Sequence, residues 1–217
     1  MKTPKNTLVI LLIAFIFINV NAQKIVKKYY KNGNLEMVGT TINGKLSGEF
    51  KYYYENGNIK IIDHYRKGKS HGKTITYYKN GNIEGIINYV DGIKYGEYKY
   101  YYENGNLNSE GTYKNNKEIG RWKYFSKNGV LDSSVDFIGS NDYQKFIKYY
   151  ETGEIKFRVK IDDDLKFQGE KIAYYKNGNI MYKGMIVNGK ANGIFKVYDK
   201  KGKFLKNLNY INGVLKK

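Results

Sequence analysis

The stretch that decides the fold is "YYKNGN", Tyr29–Asn34, which returns at Tyr77–Asn82 and Tyr174–Asn179 and, as "YYENGN", at Tyr53–Asn58 and Tyr101–Asn106. Taking the glycine of this hexad as a marker, Gly33, Gly57, Gly81, Gly105, Gly129 and Gly153 follow one another at 24-residue intervals. The next step, to Gly178, is 25 residues, and Gly202 follows at 24. The chain is therefore eight units long, with one residue inserted between the sixth and seventh markers. Recurrence at a fixed period is the signature of a repeat architecture.

The columns around the marker give the local structure. Four residues before it stand Tyr29, Tyr53, Tyr77, Tyr101, Phe125, Tyr149, Tyr174 and Tyr198, all aromatic. Two after it stand Leu35, Ile59, Ile83, Leu107, Leu131, Ile155, Ile180 and Phe204, all apolar. Fifteen after it lies a second glycine column that includes Gly48, Gly72, Gly96 and Gly120, broken by Gln144. Four residues ahead of that column many units carry one more, as in Gly44, Gly68, Gly92 and Gly189. Asn-Gly between runs of Tyr, Ile, Val, Phe and Thr is a hairpin signal, and it predicts a type I′ turn with both central residues at positive φ. The Gly-x-x-x-Gly segment is then the return turn. A single hairpin is marginal in water, whereas stacked hairpins bury one another's faces. The expected fold is all-β, an elongated antiparallel meander of about eight stacked hairpins with some sixteen strands. It forms one repeat domain over residues 23–217.

The first 22 residues read differently. Lys2 and Lys5 precede an apolar run from Leu8 to Val20, and Val20-Asn21-Ala22 ends in small residues. This is the pattern of a secretory signal peptide cleaved after Ala22, the alternative being an uncleaved N-terminal anchor. It predicts an exported chain, periplasmic or secreted. There is no cysteine, so disulfides, thiolate chemistry and lipidation at a cleavage-site cysteine are excluded.

The formal charge is +18, or +16 once the leader's two lysines are set aside. A balance this basic suits acidic partners such as anionic lipid or acidic glycan. Of the 38 basic residues only Arg66, Arg121 and Arg158 are arginine, and phosphate and base readers favour arginine's fork. That argues against nucleic acid and leaves a compositional origin for the lysines open.

The hexad and its return, Tyr-Tyr-x-Asn-Gly-x-(Leu/Ile) followed by Tyr-x-x-Gly-x-x-x-Gly as in Tyr65, Gly68 and Gly72, resemble the bacterial variant of the MORN repeats. The resemblance runs from about Val26 to the C-terminus. Ser126, Gly139-Ser140-Asn141 and Asp162-Asp163-Asp164 depart from the pattern. The resemblance implies an elongated sheet that binds proteins or lipid headgroups. Some bacterial relatives serve as antitoxins, a role in binding a toxic partner that an export leader argues against.

No catalytic constellation appears, and no enzyme activity or cofactor is expected. His64 and His71 lie in one return segment without a ligand motif. Three adjacent aspartates with Glu170 nearby do not alternate as calcium loops do. Glu55 and Glu103 share their column with Lys31, Lys79 and Lys176, which a catalytic acid would not tolerate. What remains is an aromatic surface. Strand alternation places Phe50, Tyr52 and Tyr54 on one face against Lys51 and Tyr53, and Tyr98, Tyr100 and Tyr102 against Lys99 and Tyr101. Together with Trp122 these seven residues form a candidate binding face for a partner protein or cell-surface polymer, with Tyr100 or Trp122 as its anchor. The alternative is that the rings only pack on each other and the binding surface is the lysine-bearing face of Lys51, Lys99 and Lys123.

Overall fold

The computed structural model describes residues 22–137, 144–162 and 164–216. The signal-peptide reading of residues 1–22, all but Ala22, the departure at Gly139-Ser140-Asn141 and Asp163 lie outside the described residues. Eighteen strands, from β1 (Gln23–Tyr29) to β18 (Val214–Lys216), belong to one sheet among the described residues. Apart from β5 (Lys69–Ser70), each strand before β18 pairs antiparallel with the next one along the meander. One strand is interrupted: β5 (Lys69–Ser70) and β6 (Gly72–Tyr77) both pair with β4 (Ile59–Arg66). That break and the terminal stub β18 account for the excess over sixteen.

The turns exchange the roles expected for them. In the hexads the glycine alone is left-handed, with Gly57 at φ +87°, while no hexad asparagine has positive φ. Gly57 N donates to Tyr54 O at 2.9 Å, and Tyr54 N donates to Asn58 O at 2.8 Å. The ladder slips between Tyr52 and Tyr53. This is a type I turn closed by a left-handed glycine and a bulge, the three-residue hairpin loop. The type I′ geometry belongs to the return turns. There Asn43-Gly44, Lys67-Gly68, Asp91-Gly92, Asn115-Asn116, Asn188-Gly189 and Asn212-Gly213 hold positive φ at both residues. The physical reason is loop length. The hexad's turn needs one left-handed residue after two right-handed ones, so its asparagine is selected for its side chain rather than its backbone.

The second glycine column lies inside strands, at wide bulges. Thr40 pairs with Ser47 and Val38 with Lys51, so Gly48, Glu49 and Phe50 together face Gly39. The same slip sets Gly120, Arg121 and Trp122 against Gly111, and Gly193, Ile194 and Phe195 against Gly184. At each bulge a large ring folds over a glycine. A Cβ built on Gly39 would lie 2.3 Å from the Phe50 ring, on Gly111 2.2 Å from Trp122, and on Gly184 2.4 Å from Phe195. The buried apolar residues include Phe50, Trp122, Val135, Val159 and Phe195, and the ladder carries them across one face of the sheet. A single sheet obtains a core by laying its large side chains flat on its own backbone where no Cβ stands in the way.

Candidate binding surface

The hexad holds neighbouring units together. Its second tyrosine reaches forward and donates its hydroxyl to the main chain of the next unit: Tyr30 to Tyr53 O at 2.6 Å, Tyr54 to Tyr77 O at 2.7 Å, Tyr78 to Tyr101 O at 2.7 Å and Tyr102 to Phe125 O at 2.8 Å. Tyr150 and Tyr175 do the same to Tyr174 O and Tyr198 O. The last asparagine also crosses: Asn34, Asn58, Asn82 and Asn106 donate Nδ2 to the carbonyls of Glu55, Lys79, Glu103 and Lys127 at 2.7–2.9 Å. The middle asparagine accepts from the backbone two residues on, as Asn56 Oδ1 does from Asn58 N at 3.1 Å. Four of the six hexad positions, the second tyrosine, both asparagines and the glycine, are thus structural, which answers why the motif is spelled so often. Ser126 and Asp199 stand where the bridging tyrosine should be; Ser126 Oγ instead bonds Val130 O within its own turn.

These bonds decide the fate of the seven candidate residues. Tyr54 and Tyr102 lie beyond the ends of β3 (Lys45–Tyr53) and β8 (Ile93–Tyr101), past the bulges, so strand alternation does not carry to them. Their hydroxyls are committed to the next unit. Phe50 is 0 % exposed and Trp122 2 %, so in this structure neither ring presents surface to a partner. Both are buried because Gly39 and Gly111 let their rings lie on the sheet. Trp122 packs 5.0 Å from Tyr113 and 5.3 Å from Tyr98, centroid to centroid, while Phe50 packs 5.1 Å from Tyr65. The Trp122 Nε1 hydrogen is buried with no partner among the described residues; only packing holds the indole. Tyr52, Tyr98 and Tyr100 stay half-buried. Tyr52 shares its hydroxyl with Tyr65 at 3.3 Å, and Tyr100 points to Glu84 Oε1 at 3.4 Å. The structure therefore gathers Tyr98 and Trp122 in one ring cluster and Phe50 and Tyr52 in another, with Asp63, Thr74 and Ile87 between them on the ladder.

Asp63 is the buried charge of this face, 7 % exposed. It accepts from Thr74 Oγ1, from Ser70 Oγ at 3.1 Å and from its neighbour's amide, His64 N, at 2.8 Å. A buried carboxylate persists only when so surrounded. Around the ring clusters burial disfavours phenolate: Tyr113 is pushed up to about 12 by burial and then by Glu118, and Tyr65 and Tyr78 are pushed up further, again by burial first.

The histidines and acidic run are held locally. His64 Nδ1 meets Lys73 O at 2.8 Å, and His71 Nδ1 lies 3.3 Å from Asp91 N, next to the bidentate Arg66–Asp91 pair. Asp162 accepts from Lys166 N at 2.8 Å. No group of three or more potential metal ligands occurs among the described residues.

The opposite face carries one continuous file of cross-strand neighbours. It runs Lys51, Ile62, Ile75, Ile86, Lys99, Glu110, Lys123 and continues through Ser134, Ile147, Arg158, Ile172, Lys183 and Lys196. Lys51 pairs with Glu49 at 3.1 Å and Lys123 with Glu110 at 3.0 Å. Among the described residues Lys99, Lys183 and Lys196 have no carboxylate partner. The file's regularity was not legible in the sequence, because the bulges set which residues become neighbours.

Two solved structures are among those similar to parts of the chain. One is a crystal structure of TcdB2-TccC3-Cdc42, 11% identical over 87% of this chain and 13% of that one, with a TM-score of 0.25. Another is a Photorhabdus luminescens Tc holotoxin pore with a TccC3 mutation, 11% identical over 84% of this chain and 13% of that one, TM-score 0.20. The chain spans about an eighth of their length, and overlaps this poor transfer neither detail nor function. No curated protein matches the chain. The model of the MORN repeat variant matches residues 23–43, 46–67, 70–91, 94–115 and 167–188. Each matched segment contains one of the five complete hexads, and the segments with Ser126, Glu154 or Asp199 in place of a hexad residue go unmatched. Together the matches cover just over half of the chain, and the protein belongs to the MORN repeat variant family.

Proposed function

We propose that the protein is an exported, non-enzymatic repeat scaffold that holds a partner protein or cell-surface polymer against the file of Lys51, Ile62, Ile75, Ile86 and Lys99. The observation that carries this reading is the burial of Phe50 and Trp122. It turns the choice to the opposite face, where three half-buried isoleucines in a row lie between two lysines. Apolar area bordered by charge is the composition of a recognition surface. Family membership supports a binding role in general; the partner and the compartment are this proposal's own.

The test begins with capture of partners by the chain from Gln23 onward out of an envelope extract, followed by Ile75→Ser and Lys99→Glu. Both variants are expected to keep their strand circular dichroism and bind at least tenfold more weakly. Normal binding by both sinks the assignment. Processing is checked separately: the exported chain should begin at Gln23, and a chain retaining Met1 in the cytoplasm removes export from the proposal.

A second reading rests on the C-terminal part of the file. Arg158, Lys183 and Lys196 line up within four strands, and no carboxylate pairs with any of them among the described residues. A row of unneutralised cations fits an anionic lipid or acidic glycan. Binding that collapses between low and physiological salt, and is lost on Lys183→Glu with Lys196→Glu, favours this reading over a protein partner.

A further inference from the structure

In the ring row, the position seventeen residues after the marker is Phe50, Thr74, Tyr98, Trp122 and Phe146 in the first five units and Phe195 in the seventh. In the sixth unit, where the inserted residue moves the column to eighteen after the marker, it is Lys171, paired across the ladder with Gly184. The sheet thus places a lysine where its neighbours place rings. Its ammonium lies 4.3 Å from the Phe157 ring centroid and 5.9 Å from that of Phe167. No carboxylate approaches it among the described residues, and burial alone lowers its proton affinity. An unpaired, half-buried ammonium is costly, and aromatic faces offset only part of that cost.

Beside it the sheet has a cavity of about 550 Å³, lined by Lys171, Tyr182, Ile186, Phe195, Val197 and Leu208 among others. Two positions along the strand from the ring row, the first, third and fourth units carry Tyr52, Tyr100 and Tyr124 and the second and fifth Thr76 and Lys148, whereas here stand Ala173 and Val197. Of the two, Val197 lines the cavity, and a ring there would take up part of the space. Ile186 and Phe195 in its wall are each 6 % exposed, Tyr175, Tyr182 and Tyr210 add rings with hydroxyls, and its volume lies within the roughly 300–1,000 Å³ of small-molecule sites.

We infer that this cavity binds a free alkyl carboxylate, its chain against Ile186, Phe195, Val197 and Leu208 and its carboxylate on the Lys171 ammonium. Charge complementarity selects the head: the wall offers one unsatisfied cation and no acid. The apolar lining selects the tail. The site is on the ring face, across the sheet from the file proposed above, and stands or falls independently of it.

Decanoate, below its micelle-forming concentration, is the probe, compared by calorimetry with decanol and decyltrimethylammonium. Decanoate is expected to bind one to one, decanol at least tenfold more weakly and the cation not at all. Lys171→Met keeps an unbranched chain only one atom shorter and removes its charge. It should weaken decanoate at least tenfold and leave decanol within twofold. Val197→Tyr, which puts there the ring of the first, third and fourth units, should weaken both. In the unaltered protein the Lys171 ε-methylene titration, followed by NMR, should move to higher pH when decanoate is bound, because the carboxylate stabilises the ammonium. No saturable decanoate binding, equal affinity for the three heads, or an unchanged affinity in Lys171→Met overturns the inference. So does a Lys171 titration that decanoate leaves in place, which remains decisive even if a variant fails to fold.

Discussion

At the scale of the residue, two kinds of glycine do different work, and substitution separates them. Gly57 is left-handed at φ +87°, and a Cβ there would meet nothing within 4 Å. Its constraint is backbone conformation alone. Gly57→Val should lower stability by about 1–3 kcal/mol, the range for forcing a bulky residue into that region; an unchanged denaturation midpoint would show that the turn is free to rearrange. Gly111 has no positive φ, but its Cβ would lie 2.2 Å from Trp122. Gly111→Ala should cost more than Gly57→Val because the indole must leave its bed. With Trp122→Ala already in place the added methyl should cost much less, so a double-mutant cycle should show coupling of at least about 1 kcal/mol. Additive effects would mean that the ring does not rest on Gly111. The marker glycines were legible in the sequence as turns. Gly39, Gly111 and Gly184 were not, because they fall in the strand and nothing local tells a bed for a ring from a weak strand residue.

At the scale of the element, the hairpin is defined by what it gives to the next one. The Tyr102 hydroxyl donates to Phe125 O at 2.8 Å. Tyr102→Phe removes the donor and keeps the ring, and should cost about 1 kcal/mol, the net worth of such a bond plus the orphaned carbonyl. Ser126→Tyr should recover a comparable amount by supplying the missing bridge to the sixth unit. Equal midpoints for the parent and both variants would show that water serves those carbonyls as well. Hairpin existence, period and order all followed from the columns of the sequence. The turn types did not: Asn-Gly reads as type I′ by frequency, but the following asparagine, Asn58, reaches Lys79 O only from a three-residue loop. The candidate face was half legible. Tyr98 and Trp122 do share a face, yet alternation cannot foresee that a bulge ends it at Tyr54 and Tyr102, or that a face rich in rings is closed by them.

At the scale of the whole molecule, the tyrosines make the sheet sensitive to base. Tyr54, Tyr65, Tyr78, Tyr98, Tyr113, Tyr124 and Tyr182 all hold their protons more tightly than a free phenol, with burial the first cause in each. A group whose affinity for the proton rises on folding contributes stability that is complete below its unfolded pKa and fades above it. Stability should therefore be flat with respect to these groups up to about pH 10. It should fall through pH 12, where Tyr113 ionises at about 12. Urea midpoints measured across that range test this, and Tyr113→Phe should shallow the decline. A midpoint indifferent to alkali would show that the phenols are solvated in the fold.

The tyrosine bridges run one way only, each unit reaching toward the C-terminal side. The chain of bridges is continuous from Tyr30 to Phe125 and from Tyr150 to Tyr198, and is interrupted at Ser126. Under tension applied at its two ends, such a molecule does not stretch evenly. It should part first at the seam after Ser126, yielding two force peaks of unequal contour length. The longer segment is the N-terminal one and the shorter ends at the C-terminus. Ser126→Tyr would close the seam and merge the two peaks into one, turning a jointed strap into a single piece.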